Sequence, residues 1–223
     1  MTALPAPLLV ITDRLQARHS IEAIAEAVGQ SGGRWLVLRD KDLEPAVRRS
    51  LAARLAEIAR RHGMHLSVSR DVDLAAEIAA SVHLQSAAAV AGARQRLGPG
   101  ALIGVSAHGL GDVAAAAAAG ADYVTLSPIF LTGSKPGYGP ALGVEAIAPA
   151  AKLGISIVAL GGITANLVAP CLKAGAHGVA VMGEIMRSDD PGRAACRLVA
   201  ACKAATPAPD STSRLPTGLA GAR

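Results

Sequence analysis

The sequence predicts an α/β protein, a single (β/α)8 TIM barrel, on three observations. Short apolar runs alternate with longer Ala- and Leu-rich stretches, the alternation repeats eight times between residues 8 and 205, and no dinucleotide fingerprint follows the first run. A strand covered on both faces reads as apolar throughout, and a parallel neighbour needs a helical crossover, so this alternation points to a parallel sheet clad in helices. An open doubly wound sheet would place G-x-G-x-x-G after its first strand, where this chain has Thr12-Asp13-Arg14. Eight like units in about 200 residues match a closed barrel near the lower end of its usual length.

In chain order the expected strands are Leu8–Thr12, Trp35–Arg39, His65–Val68, Val82–Leu84, Ile103–Ser106, Tyr123–Ser127, Ser156–Leu160 and Gly178–Met182, each followed by a helical stretch. The second helix is the clearest. From Glu44 to Arg61 it carries Val47, Leu51, Leu55 and Ile58 at spacings of three or four, one apolar stripe. Two helix exits repeat, Ala119-Gly120-Ala121-Asp122 before strand six and Ala174-Gly175-Ala176-His177 before strand eight, with Gly120 and Gly175 placed to end their helices in a left-handed conformation. Beyond the barrel at 8–205, residues 206–223 are rich in Pro, Ser and Thr without periodicity and are expected to be a disordered tail.

Composition narrows the function. A chain of 223 residues with 51% hydrophobic content can bury one large core, yet every window of membrane-spanning length, about 18 residues, is broken by charge, proline or glycine. Residues 1–7 lack the charged and apolar regions of a secretory signal, so the expected location is the cytoplasm. Cys171, Cys196 and Cys202 show no CxxC spacing and are expected to be reduced core thiols rather than a disulfide framework or zinc site. The net charge of +5 is dispersed, and with aromatics at 2% there is little to stack on bases. These features exclude nucleic acid and membrane as expected partners and favour a small anionic ligand.

In a barrel of this kind, function collects just after each strand. Strand two runs into Leu38-Arg39-Asp40-Lys41-Asp42, and strand alternation puts Arg39 and Lys41 on one side, where both cations can clamp an anion; a solvated charge run is the alternative. Gly161-Gly162 follows strand seven and Met182-Gly183-Glu184 follows strand eight, the two loops that hold phosphate in such barrels, although a tight turn alone also explains the glycines. The longest connection, Pro128 to Leu142, carries Thr132, Ser134 and Lys135 and reads as a lid over a phosphoryl group. Ser106 ends strand five without an evident His–Asp partnership, and His19, His62, His65, His83 and His177 show no metal spacing and read as structural.

Together these segments resemble thiamine-phosphate synthase, within the wider family that also includes the thiazole tautomerases. The resemblance is carried in order by Thr12-Asp13-Arg14, Leu38-Arg39-Asp40-Lys41-Asp42, Val82-His83-Leu84, Ile103-Gly104-Val105-Ser106, Ser127-Pro128-Ile129-Phe130 with Lys135, Leu160-Gly161-Gly162-Ile163-Thr164 and Gly178-Val179-Ala180-Val181-Met182. It implies joining of a hydroxymethylpyrimidine diphosphate to a thiazole phosphate with release of diphosphate, through a pyrimidinyl cation and with Mg²⁺. By the same resemblance Arg39, Lys41, Thr132, Ser134 and Lys135 would hold the diphosphate, Ser106 would lie beside the pyrimidine, and Gly162 and Gly183 would bind the thiazole phosphate. Ser106 and Lys135 are the expected catalytic residues.

The chain departs from the family's pattern at three places. A glutamine two residues before the strand-two arginine is Val37, the Asn-Asp after strand three is Ser69-Arg70, and the aspartate four residues after the strand-four leucine is Ala88. The aspartates are the family's Mg²⁺ ligands, so Arg70 and Ala88 remove the expected metal site, and a one-residue slip would offer only Asp71. Arg70 would then supply part of the metal's positive charge. A tautomerase acting on thiazole phosphate is the nearest alternative, with Pro128 at the position of that branch's histidine and His108 recruited for proton transfer. A noncatalytic binder of thiazole phosphate or thiamine phosphate is the third, and the resemblance leaves room for a homo-oligomer.

Overall fold

A computed structural model describes residues 2–132 and 140–205. Eight parallel strands close into a barrel in sequence order: β1 Leu8–Ile11, β2 Trp35–Leu38, β3 His65–Ser69, β4 Ser81–Leu84, β5 Ile103–Ala107, β6 Tyr123–Leu126, β7 Ser156–Leu160 and β8 Gly178–Val181. Closure is made by β1 against β8, with Leu9 opposite Ala180. Around the barrel lie α1 Ile21–Gln30, α2 Pro45–His62, α3 Val72–Glu77, α4 Val90–Leu97, α5 Leu110–Ala118, α6 Ile147–Ala151, α7 Ala165–Lys173, the one-turn α8 Gly183–Met186 and α9 Pro191–Ala205. The tail expected over 206–223 lies outside the described residues.

Local chemistry sets the helix ends. Ser20 caps α1 by accepting from the Ala23 N–H, and Asp71 caps α3 by accepting from Leu74. Glu44 accepts from Ala46 and Val47 ahead of Pro45, whose missing N–H costs nothing at a helix start. Gly120 and Gly175 have φ of 80° and 103°, and the Ala121 and Ala176 N–H groups reach back to Ala116 and Cys171, as the repeated exits predict. The stripe on α2 is rotated from the expected one: Leu51, Leu55 and Ile58 are buried, but Val47 is 51% exposed and Arg48 takes the buried position. A charged residue there is held by Asp71 and the Ser69 carbonyl, at 2.8 Å each, which periodicity cannot foresee. Among the cysteines only Cys171 and Cys202 are core thiols; Cys196 is exposed on α9.

Two apolar clusters follow from strand alternation. Leu8, Val10, Leu36, Leu38, Val124 and Ile157 face outward against the helices. Leu9, Ile11, Trp35, Val37, Tyr123, Val158 and Ala180 form the second cluster, inside the barrel. The inward residues of β3 to β5, by contrast, include Ser67, Ser69, His83 and Ser106. The inside of the barrel is therefore more polar along β3 to β5, and the cavity at its mouth is lined from all eight strands.

Candidate functional site

The cavity sits at the carboxyl ends of the strands and encloses about 310 Å³. Arg39 and Lys41 after β2, Arg70 after β3 and Ser106 on β5 line one part of it, and Gly161, Gly162, Met182 and Gly183 after β7 and β8 line another. Thr132 also lines it, whereas Ser134 and Lys135 lie outside the described residues. Val37 contributes an apolar wall. Ala88 sits in a short 3-10 turn, exposed and away from the lining, where Gln85 is the polar side chain nearest in sequence to reach the cavity.

Strand alternation sorts the charge run after β2. Arg39 and Lys41 turn to the cavity, while Asp40, 2% exposed, turns under the loop and accepts from the Thr12 hydroxyl and the Arg14 N–H. Thr12 Oγ1 in turn accepts from the Arg39 N–H at 2.9 Å. Asp42 pairs with Arg14. Thr12-Asp13-Arg14 thus locks the exits of β1 and β2 together, and within the run Arg39 is paired with Asp13 while the exposed Lys41 lines the cavity.

His83, read from sequence as structural, lies in the cavity wall. Its Nε2 is 3.1 Å from Ser106 Oγ and 3.3 Å from Thr125 Oγ1, and its Nδ1 is 3.0 Å from Tyr123 Oη. Burial lowers its pKa to about 4, so the ring is neutral at physiological pH, with one nitrogen donating and the other accepting. Tyr123 stands edge-on to Trp35 at 4.8 Å between ring centroids. Its ring has room only because residue 104 is glycine: a Cβ there would lie 2.1 Å from Tyr123 Cζ. Ser106 consequently belongs to a neutral polar shelf suited to hydrogen-bonding a heterocycle, not to a triad, since no carboxylate among the described residues backs the imidazole.

Gly161 and Gly162 have φ of 104° and 65°. The loop after β6 presses on them. Ile129 and Phe130 donate to the carbonyls of Leu160 and Gly161, and a Cβ on Gly162 would lie 2.4 Å from the Leu131 carbonyl oxygen. Close backbone approach thus accounts for both glycines and also brings Pro128, Leu131 and Thr132 into the cavity wall. His108 reaches the wall as well, with Nδ1 3.0 Å from the Ser127 carbonyl.

The charge inventory of the lining is lopsided. Arg39, Lys41, Arg70 and Arg187 contribute four positive charges, and Glu184 is the one carboxylate among the described lining residues. Arg70 enters with φ 69°, a left-handed conformation uncommon for a side chain of this size, fixed by its N–H donating to the His83 carbonyl at 2.8 Å. Asp71, the slipped alternative for a metal ligand, caps α3 and holds Arg48 instead. No group of three or more His, Cys, Asp or Glu placed to hold a metal ion occurs among the described residues. Arg187 and His83 are the site residues that sequence reading missed.

Residues 8–185 match the family profile described as thiamine monophosphate synthase. A thiamine-phosphate synthase of Chromobacterium violaceum is 40% identical over 179 residues, covering 79% of this chain and 86% of that protein. One of Methanoculleus marisnigri is 38% identical over 204 residues, covering 88% and 97%. Among solved structures, the thiamine phosphate pyrophosphorylase of Pyrococcus furiosus superposes with a TM-score of 0.79 at 25% identity, covering 90% of this chain and 97% of that one. No helix among the described residues is long and apolar enough to cross a membrane.

Proposed function

Because the chain belongs to the thiamine monophosphate synthase family, we propose that it is a thiamine-phosphate synthase, joining hydroxymethylpyrimidine diphosphate to thiazole phosphate and releasing diphosphate. The observation that carries this reading is one cavity lined at once by Arg39 and Lys41, by the His83–Ser106 shelf, and by the loops after β7 and β8. In this reading the bond between the pyrimidine methylene carbon and the diphosphate oxygen breaks, the thiazole nitrogen attacks that carbon, and diphosphate departs. Arg39 and Lys41, with Thr132, meet the negative charge that develops on the leaving group, the role expected also of Ser134 and Lys135. Ser106, oriented by His83, hydrogen-bonds the pyrimidine. Gly162 and Gly183 line the place of the thiazole phosphate, which holds the nucleophile in line.

Members of this family are typically Mg²⁺-dependent. Mg²⁺ takes oxygen ligands, usually one or two carboxylates together with phosphate oxygens. The residues here do not fit that requirement at the diphosphate end, where Val37, Ser69 and Arg70 line the wall and the lone lining carboxylate, Glu184, follows β8 instead. Arg70 brings a fixed positive charge to that end, and a guanidinium suits phosphoryl oxygens geometrically. Our reading is a diphosphate held by arginine and lysine without a resident metal.

The experiment supplies purified protein with both substrates, with Mg²⁺ or with a chelator, and measures thiamine phosphate and free diphosphate. Product in both conditions is expected. Absence of product in both conditions overturns the synthase reading, and product only with Mg²⁺ overturns the metal-free grip.

A further inference from the structure

The guanidinium of Arg187 packs against Gly183. A Cβ on residue 183 would fall 2.3 Å from both terminal nitrogens of Arg187, so glycine is what admits the guanidinium to this end of the cavity. Arg187 Nη1 donates to Gln16 Oε1. Gln16 Nε2 donates onward to Asp13 Oδ2 at 2.7 Å, and the same oxygen accepts from Arg39 Nη1 at 3.2 Å. Two cations that line one cavity, from loops after β8 and β2, are therefore held by one short turn after β1.

The order of groups along this chain fixes its polarity. The amide of Gln16 has one accepting and one donating end, and here the oxygen meets a guanidinium while the nitrogen meets a carboxylate. The turn is itself braced: Asp13 Oδ1 accepts from the Leu15 N–H and the Asp13 carbonyl from the Gln16 N–H. Its residues have few alternative geometries.

Charge gives Arg187 a task. Glu184 lines the cavity beside Gly183, so a phosphate arriving at this end meets a carboxylate. A guanidinium packed against Gly183 offsets that charge, and its planar fork of N–H donors suits phosphoryl oxygens. We propose that Arg187 is the side-chain ligand of the phosphoryl group held at the Gly162–Gly183 end, and that Gln16 is the positioning residue that ties it, through Asp13, to Arg39 at the diphosphate end. The ligand is named thiazole phosphate on the strength of the synthase reading above; the phosphoryl recognition itself needs only a phosphomonoester.

The test compares wild type, Arg187→Ala, Gln16→Ala and the double variant. Calorimetry measures binding of thiazole phosphate and of its unphosphorylated alcohol, and steady-state kinetics measures KM for each substrate. Arg187→Ala is expected to cut the preference for the phosphorylated thiazole by about tenfold or more, the usual scale for losing a charged hydrogen bond, and to leave the pyrimidine diphosphate KM within about twofold. Gln16→Ala raises both KM values, and adds nothing to the thiazole phosphate KM once Arg187 is alanine, the non-additivity of a residue acting through another. Unchanged discrimination in Arg187→Ala overturns the ligand assignment. Additive effects of the two substitutions overturn the positioning role, and melting temperatures of all four proteins separate both from unfolding. A wild type that prefers the phosphorylated thiazole but forms no product leaves this inference standing and removes the synthase reading.

Discussion

Gly104 and Tyr123 share one space on adjacent strands: a Cβ on Gly104 would lie 2.1 Å from Tyr123 Cζ and 2.5 Å from its hydroxyl oxygen. The pair sits opposite in register, and the tyrosine ring is fully buried, so it has nowhere to retreat without losing His83 and Trp35. Gly104→Ala is expected to destabilise the protein by about 1–3 kcal/mol, the usual cost of overpacking. Urea unfolding checks it, and an unchanged midpoint would show that the ring is freer than this geometry allows.

Acid should act through His83. Burial holds its folded pKa at about 4 against 6.5 for the free group, so between those values the unfolded chain binds more protons than the folded one. The stability this residue supports is complete above pH 6.5 and is lost as pH falls toward 4. Between pH 7 and pH 4.5 the loss amounts to about 2 kcal/mol. His65 and His177, whose pKa values burial also lowers, add in the same direction. Unfolding curves at both pH values for wild type and His83→Gln isolate the contribution, and equal pH dependence in the two proteins would refute it.

What was legible in the sequence was local. β1, β2 and β8 are runs of apolar residues buried on both faces, and β7 is legible to the residue because nothing at its ends competes with that pattern. Arg39 and Lys41 both line the cavity, where the alternation of one strand directs residues two apart. The polar shelf was not legible: His83, Ser106 and Tyr123 stand on β4, β5 and β6, and only lateral strand pairing brings them together. Arg187 was hidden for the same reason, 171 residues from the Gln16 that holds it. The α2 stripe was misphased because Arg48 is buried by partners outside its helix, which no hydropathy period registers.

Arg70 separates backbone strain from binding. Its φ of 69° is one that glycine adopts freely, so Arg70→Gly removes the cation without straining the chain. Stability is expected to stay within about 1 kcal/mol of wild type, because relief of strain offsets the added freedom of the unfolded chain. The KM for pyrimidine diphosphate is expected to rise by about tenfold or more, the scale of a lost charge-assisted contact. Added Mg²⁺ should not restore it. Recovery by Mg²⁺ would mean that a metal, and not a guanidinium, serves this end of the cavity.

Asp71 decides whether a carboxylate after β3 has any part in the chemistry. Its Oδ1 caps α3 at 3.0 Å from the Leu74 nitrogen, and its Oδ2 takes Arg48 at 2.8 Å. The Arg48 side chain is only 10% exposed, so Asp71→Ala both uncaps a helix and leaves a nearly buried guanidinium to the Ser69 carbonyl. A cap is worth about 1 kcal/mol and a broken buried pair about 3 or more. Because the Asp71 side chain is itself 40% exposed, water screens the pair and the sum is discounted to about 2–3 kcal/mol. Asparagine is as good a cap as aspartate, so Asp71→Asn should recover about 1 kcal/mol of that loss. Thermal melts measure both variants. Turnover by Asp71→Asn, assayed well below its melting temperature, should match wild type with and without Mg²⁺, and a tenfold fall there would move Asp71 from the scaffold into the site.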